Sequence, residues 1–95
     1  MAVLLLAYYE VADLDRFLEA FDGFEEARRR AGATTVGLVR SSENPRALVA
    51  LIEFASREAA QRFAMSPERI RTLEDAGVST RTDEFFEVVR PIVAV

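Results

Sequence analysis

The chain has 95 residues, the length of one small domain, so we expect a single domain over residues 1–95. Its 12 basic and 16 acidic residues give a net charge of −4, which argues against binding nucleic acid or anionic membranes. Cysteine, histidine and lysine are absent. Their absence excludes disulfides, Schiff-base catalysis and histidine as metal ligand or general base. The acidic residues lack calcium-loop spacing, so we expect no metal site.

The first third of the chain predicts a strand, a helix and a second strand. The apolar run from Val3 to Val11 is typical of a buried strand. It is too short for a signal peptide, and we therefore expect a cytoplasmic protein. Asp13 is suited to begin a helix that ends at Gly32, and Gly23 inside this helix predicts a kink. The β-branched residues at 34–40 predict the second strand.

The middle of the chain predicts a turn, a strand and an interrupted helix. An Asn-Pro pair favours a turn at residues 41–46, and the apolar run from Ala47 to Phe54 predicts the third strand. Ser56 is suited to be the N-cap of the next helix. Ser-Pro-Glu at residues 66–68 is a second helix-start signal, so we expect the helix to break near Met65 and begin again.

The last part of the chain predicts one more strand and fixes the fold class. The second helix ends at Gly77, and residues 84–89 predict the fourth strand. Pro91 cannot donate to a sheet, which confines residues 92–95 to an edge or an extension. The order β-α-β-β-α-β predicts a ferredoxin-like α+β fold. It has a four-stranded antiparallel sheet with both helices on one face and the first and third strands in the centre.

Both faces of the predicted sheet are apolar, although two helices can cover only one face. In the first strand, for example, Val3, Leu5 and Ala7 alternate with Leu4 and Leu6. An uncovered apolar face of this size is an association surface. We therefore expect a homodimer in which the two sheets pack face to face.

Several segments resemble a known superfamily: VADLDRFLEAFD at 11–22, ARRRAG at 27–32, ENP at 43–45, LIEF at 51–54, and EAAQRFAMSPE with AGV within 58–78. They are similar to the dimeric α/β-barrel superfamily of antibiotic-biosynthesis monooxygenases and small polyketide cyclases, and most similar to a small actinobacterial cyclase-like subgroup. The resemblance implies a ferredoxin-like fold and a sheet-to-sheet dimeric barrel. The chain departs from the family at Phe17 and Phe24, where tryptophan and histidine are usual.

Two residues are candidates for proton handling. Glu53 lies within an apolar strand, where a carboxylate needs a partner or a raised pKa. It could act as acid or base, or it could form an ion pair with Arg40 or Arg90 or a hydrogen bond at the dimer interface. Tyr9 and Tyr8 point to opposite faces of the first strand, so one faces the helices and the other faces the inner, helix-free side of the sheet. We assign Tyr9 to the inner side. Its phenol could donate to a developing oxyanion, or it could be a core aromatic with its hydroxyl at the rim.

Five further residues are candidate substrate contacts: Phe24, Arg40, Phe63, Phe85 and Arg90. The arginines could hold a carboxylate, phenolate or enolate, although edge or dimer-rim salt bridges would also explain them. The phenylalanines could shape an aromatic pocket, and the alternative is that they belong to the core. The Arg28–Arg30 run suits the end of the first helix and predicts a solvated face.

Three functions are compatible with these features, and the resemblance implies them without choosing among them. The first is a cofactor-free enzyme of secondary metabolism that binds a polyketide-like or aromatic substrate in an apolar pocket and promotes its cyclisation. The second is a cofactor-independent monooxygenase that deprotonates a phenol or anthrone, which then reacts with oxygen. The third is a non-catalytic ligand-binding or stress-type dimeric barrel.

Overall fold

The computed structural model describes residues 1–95 and contains four strands and four helices. In chain order they are β1 (Val3–Val11), α1 (Leu14–Gly23), α2 (Glu25–Arg30), β2 (Ala33–Arg40), β3 (Ala47–Phe54), α3 (Arg57–Ala64), α4 (Pro67–Asp75) and β4 (Val78–Glu87).

The helices begin and break where the sequence predicts. Asp13 accepts a hydrogen bond from a backbone N–H in the first turn of α1, and Ser56 and Ser66 do the same for α3 and α4. The kink predicted at Gly23 is a complete break, with Phe24 between α1 and α2. The second break lies at Met65, because Ser66 and the following proline start a new helix.

The four strands form one antiparallel sheet in the order β2-β3-β1-β4. β1 and β3 are central, as predicted, and Leu5 of β1 lies between Ile52 of β3 and Phe85 of β4. The helices cover one face of this sheet, which gives the ferredoxin-like α+β fold. None of the four helices has the length and apolar character needed to cross a membrane.

The boundaries predicted for the last strand are wrong. β4 begins at Val78 instead of residue 84 and ends at Glu87 instead of residue 89. Its first half is polar, but its backbone pairs with β1 from Val11 back to Ala7, so hydrogen bonding and not side-chain pattern creates this part of the strand. Residues 92–95 form no strand and are exposed.

The two faces of the sheet differ in burial. Odd residues of β1 and even residues of β3 point toward the helices and form the core, together with side chains from α1 and α3. The opposite face, called the open face below, has no helix over it. Val39 is 54% exposed and Phe86 44% exposed there, and Leu51 is half-buried. The predicted second apolar face is therefore present.

Candidate functional site

A small cavity lies between the helices and the covered face of the sheet. Twelve side chains line it, nine of them hydrophobic with Tyr9 included, and no carboxylate is among them. The space left between them is about 20 Å³, room for roughly one water molecule. The lining residues are Tyr9, Phe17, Ala20, Phe21, Phe24, Arg28, Ile52, Phe63, Arg69, Thr72, Leu73 and Ala76.

Aromatic rings form most of the wall. Phe17, Phe21 and Phe24 fall on one side of α1 and the junction that follows it, because residues three and four apart share a helix face. The ring of Phe17 lies 5.5 Å from that of Tyr9 and 5.8 Å from that of Phe21. Phe24 packs 6.2 Å from Phe63 on α3. Such a wall is suited to a flat apolar ligand.

Arg69 on α4 is buried, and both of its terminal nitrogens are hydrogen-bonded. Its side chain is 2% exposed and donates to both carboxylate oxygens of Asp83, at 3.0 and 2.9 Å. It also donates to the Tyr9 hydroxyl at 2.8 Å and to the Ala64 carbonyl at 2.9 Å, which closes the turn between α3 and α4. Burial alone would lower the pKa of Arg69, but the bonds to Asp83 and Tyr9 outweigh it and raise the pKa, so the guanidinium stays charged.

Tyr9 is a neutral hydrogen-bond donor on the cavity wall. Its hydroxyl oxygen accepts from Arg69, and its own proton is given to no protein acceptor. Burial raises the pKa of Tyr9 above its ordinary value, and the charge of Arg69 only partly opposes this effect. At neutral pH the phenol can therefore donate to an oxygen in the cavity, but it cannot accept a proton as a phenolate.

Arg28 on α2 is the second buried arginine, and it lacks partners. Its side chain makes no ion pair, and its buried Nε has no hydrogen-bond acceptor. The guanidinium carbon lies 4.0 Å from the centre of the Phe21 ring, a cation–π contact. Burial lowers the pKa of Arg28, while the nearby charges of Glu25 and Asp22 oppose that effect. Because Asp83 neutralises Arg69, Arg28 is the one positively charged side chain of the cavity wall that makes no ion pair.

The structure brings together three of the predicted site residues: Tyr9, Phe24 and Phe63 all line the cavity. The orientation assigned to Tyr9 is wrong, however. It shares the face of Val3, Leu5 and Ala7, as expected, but that face is the one that the helices cover. Tyr8 is the tyrosine on the open face.

Glu53 lies on the open face and does not belong to the cavity. Its Oε1 accepts hydrogen bonds from the hydroxyls of Thr34 and Thr35, at 3.2 and 3.1 Å. The ion pair predicted with Arg40 or Arg90 is not formed. The threonines supply the partner that a carboxylate in a strand requires, so the expectation of a structural hydrogen bond fits the geometry better.

The remaining candidates lie apart from the cavity. Arg40 is exposed at the end of β2, and Arg90 is exposed beyond β4, where it donates to the adjacent Val89 carbonyl. Phe85 lines a groove beside Met1 at the far end of the sheet. These three residues are separated, and the structure does not unite them in one site.

Sequence reasoning missed both buried arginines, although a signal was present. Arg28 follows Phe24 by four residues and precedes Ala31 by three, so it continues an apolar helix face. Arg69 precedes Leu73 by four residues and Ala76 by seven, so it also lies on an apolar helix face. The solvated face predicted for the arginine run holds for Arg29, which pairs with Glu25 and Glu26 at the surface, and is wrong for Arg28.

Solved structures of other proteins resemble this one. No family model and no curated protein sequence matches the chain. SnoaB, a cofactor-independent oxygenase from Streptomyces nogalater, is 16% identical and superimposes with a TM-score of 0.77 over 96% of each chain. The chain has the fold of this oxygenase.

Two further structures carry names that place them among the antibiotic biosynthesis monooxygenases. The protein from Bordetella bronchiseptica is 16% identical, with a TM-score of 0.78 over 94% of this chain and 98% of its own. That from Nitrosomonas europaea is also 16% identical, with a TM-score of 0.75 over 95% of this chain and 92% of its own. The ferredoxin-like fold expected from the sequence is thus the fold of the antibiotic biosynthesis monooxygenases.

Proposed function

We propose that the protein is a cofactor-independent oxygenase whose substrate is an aromatic compound with an ionisable oxygen, such as an anthrone or a phenol. The observation that carries this proposal is the cavity itself. Aromatic rings line it, its polar side chains at Tyr9, Arg28, Arg69 and Thr72 are all hydrogen-bond donors, and it has no carboxylate. Such a lining favours the anionic form of a bound enol. The likeness to an oxygenase that works without a cofactor agrees with this chemistry.

The residues of the cavity assist the ionisation of the substrate, and the ionised substrate then reacts with O₂. The positive charge in the cavity lowers the pKa of the substrate, which releases a proton to water, and the Tyr9 hydroxyl donates to the enolate oxygen. The enolate gives one electron to O₂, and the substrate radical and superoxide combine at carbon. The resulting peroxide anion takes a proton from water to form a hydroperoxide. Loss of water from the hydroperoxide leaves a new carbonyl group. One substrate and one O₂ thus yield one quinone and one water, with no other reductant.

Oxygenation ranks ahead of cyclisation because of where the carboxylate lies. Ring closure by an aldol-type step needs a proton acceptor near the reacting carbon. Glu53, the residue predicted for that role, is on the open face, across the sheet from Tyr9. Oxidation of an anthrone through its enol form removes a proton from oxygen and not from carbon, and the positive charge in the cavity favours that ionisation directly.

A non-catalytic ligand-binding module is the second candidate, and the volume of the cavity favours it. A space of about 20 Å³ is too small for a bicyclic ligand unless side chains of the wall move. A binding module would take up the same aromatic compounds and return them unchanged.

Oxygen uptake with dithranol, an anthrone, tests the proposal. We expect saturable uptake above the spontaneous rate and a quinone product identified by mass spectrometry. Tyr9→Phe should lower kcat by about 100-fold, the usual cost of removing one oxyanion donor. Tyr8→Phe is the matched control, because Tyr8 lies on the other face of the same strand. Uptake equal to the spontaneous rate would reject the oxygenase, and saturable binding without turnover would then support the binding module.

We also propose that the open face binds a second copy of the chain. Val39, Phe86 and Leu51 give this face the apolar character typical of an obligate interface. Leu51→Asp would place a charge in that interface and should leave the protein unfolded or aggregated. Sedimentation at micromolar concentration should show a dimer for the unmodified chain, and a stable monomer of 10.6 kDa would reject the proposal.

A further inference from the structure

Phe21 and Arg28 separate the inner cavity from a groove on the surface. Both side chains line the cavity, and both also line the groove between α2 and the start of β2. The groove has a volume of about 430 Å³, and its other residues include Asp22, Ala33 and Val36. The cation–π pair of Phe21 and Arg28 therefore forms a wall only one layer of side chains thick.

The two members of this pair belong to different helices. Phe21 is on α1 and Arg28 on the six-residue α2, and the helices are separated at Phe24, whose backbone is not helical (φ −93°, ψ 4°). Because α1 and α2 are not one continuous helix, α2 can shift relative to α1 without breaking the hydrogen bonds within either helix. Such a shift would part the pair and join the groove to the cavity.

The unpartnered guanidinium indicates what such an opening admits. A buried nitrogen without an acceptor costs stability, and most buried polar groups in proteins have a partner. Arg28 Nε is the one buried side-chain nitrogen or oxygen in the chain that has none. The terminal nitrogens of Arg69 cannot serve in its place, since Asp83, Tyr9 and Ala64 already accept from them. A ligand oxygen beside Arg28 would supply the missing acceptor.

We propose that Phe21 and Arg28 are the gate of the cavity and that Arg28 binds the anionic oxygen of the entering ligand. The ligand class is a flat aromatic compound with a carboxylate or phenolate at one edge. Its rings lie among Phe17, Phe24 and Phe63, and its anionic oxygen accepts from the guanidinium of Arg28 in place of the cation–π contact. This assignment deepens the proposed function, since it rests on the same cavity and names the feature that selects the substrate.

The acidic residues near the groove do not supply the acceptor that Arg28 lacks. Asp22 and Glu25 are close enough to influence Arg28, but neither makes an ion pair with it. Glu25 is instead the surface partner of Arg29. An incoming anion therefore competes with no bound carboxylate, although these two charges lower the attraction that Arg28 exerts from a distance.

Calorimetric titration with two unreactive bicyclic probes tests the gate. 2-Naphthoate and 2-naphthamide have nearly the same shape and differ in charge. The unmodified protein should bind naphthoate at least about tenfold more tightly, as expected for a charge-assisted hydrogen bond to a buried guanidinium. Arg28→Met should bring the two dissociation constants together. Arg30→Gln removes the same charge from an exposed position two residues away and should keep the preference.

Phe21→Ala provides a second test that does not depend on Arg28. Removing the ring should speed association of both probes in stopped-flow fluorescence. Equal affinities in the unmodified protein, a preference that survives in Arg28→Met, binding of neither probe, or unchanged association in Phe21→Ala would each overturn the proposal. Preference for naphthoate in a protein that does not oxidise dithranol would reject the oxygenase alone. Oxidation without that preference would reject the gate alone.

Discussion

Two buried arginines face the same cavity, and their surroundings differ completely. Arg69 is 2% exposed and donates to a carboxylate, a phenol and a backbone carbonyl. Arg28 is 6% exposed, rests on one phenylalanine ring and leaves its Nε without an acceptor. A fully bonded buried charge holds its neighbours in place, whereas an unbonded one costs stability until something binds it. The comparison assigns a structural role to Arg69 and a binding role to Arg28.

The largest effect should come from removing the partner of Arg69. Asp83→Asn leaves a buried guanidinium without its counter-charge, which typically costs about 3–5 kcal/mol of unfolding free energy. This is a large fraction of the stability of a small domain. Urea denaturation at one fixed protein concentration measures the loss. Glu87→Gln, at an exposed position of β4 away from the open face, is the control and should change stability by less than about 1 kcal/mol. Equal losses in the two variants would contradict the structural role of Arg69.

A smaller loss is expected when Arg69 loses only its neutral partner. Tyr9→Phe removes the hydroxyl that accepts at 2.8 Å from Arg69 and keeps the ring in the core. A hydrogen bond to a charged group contributes about 1.5–3 kcal/mol, so denaturation should show a loss of that order. Glu19→Gln, at an exposed position of α1, is the control and should stay within about 0.5 kcal/mol. No loss in Tyr9→Phe would mean that Asp83 and Ala64 satisfy the guanidinium by themselves.

Alkaline pH should weaken the same cluster. Burial raises the pKa of Tyr9 above its ordinary value of 10.0, against the opposing charge of Arg69, so the folded state holds this proton more tightly than the unfolded state. The stability that results is fully present below pH 10.0 and decreases as the pH rises through the raised pKa. Denaturation above about pH 10 should show this decrease, and it should be smaller in Tyr9→Phe. A stability that stays constant across that range would contradict the buried donor state of Tyr9.

The smallest effect is expected at Arg28. Arg28→Met removes a buried donor that has no acceptor and keeps a long side chain against Phe21. Stability should change by less than about 1 kcal/mol, because the cost of the unpartnered nitrogen disappears together with the cation–π contact. The same denaturation measurement detects it. A loss of unfolding free energy as large as that of Asp83→Asn would show that Arg28, like Arg69, has a structural role.

Most of the fold follows from local signals in the sequence. Helix starts at Asp13, Ser56 and Ser66 and ends at Gly32 and Gly77 could be predicted because each depends on side chains or a glycine at that position. The start of β4 could not be predicted. The polar residues before Glu84 carry no strand pattern, and their strand conformation depends on pairing with the distant β1.

The site was harder to predict because both faces of the sheet are apolar. Side chains alternate between the two faces along β1, which puts Tyr9 on the same face as Val3, Leu5 and Ala7. This alternation does not say which face the helices cover. Glu53 stands out in the sequence because it is the one charged residue of an apolar strand. Its threonine partners could not be predicted, because they lie on β2, about nineteen residues away in sequence. The buried arginines look like ordinary charged helix residues unless the spacing of their apolar neighbours is considered.

The position of β1 in the sheet also determines when the chain can fold during synthesis. β1 is the first strand to be made, and its two neighbours are β3 and β4, so one of its edges stays unpaired until residue 87 is available. The cluster around Arg69 has the same requirement, because Asp83 belongs to β4. A nascent chain without β4 exposes a strand edge and an unneutralised arginine. We therefore expect the domain to fold only after β4 has been translated. Aggregation should begin among incomplete chains that are still bound to ribosomes.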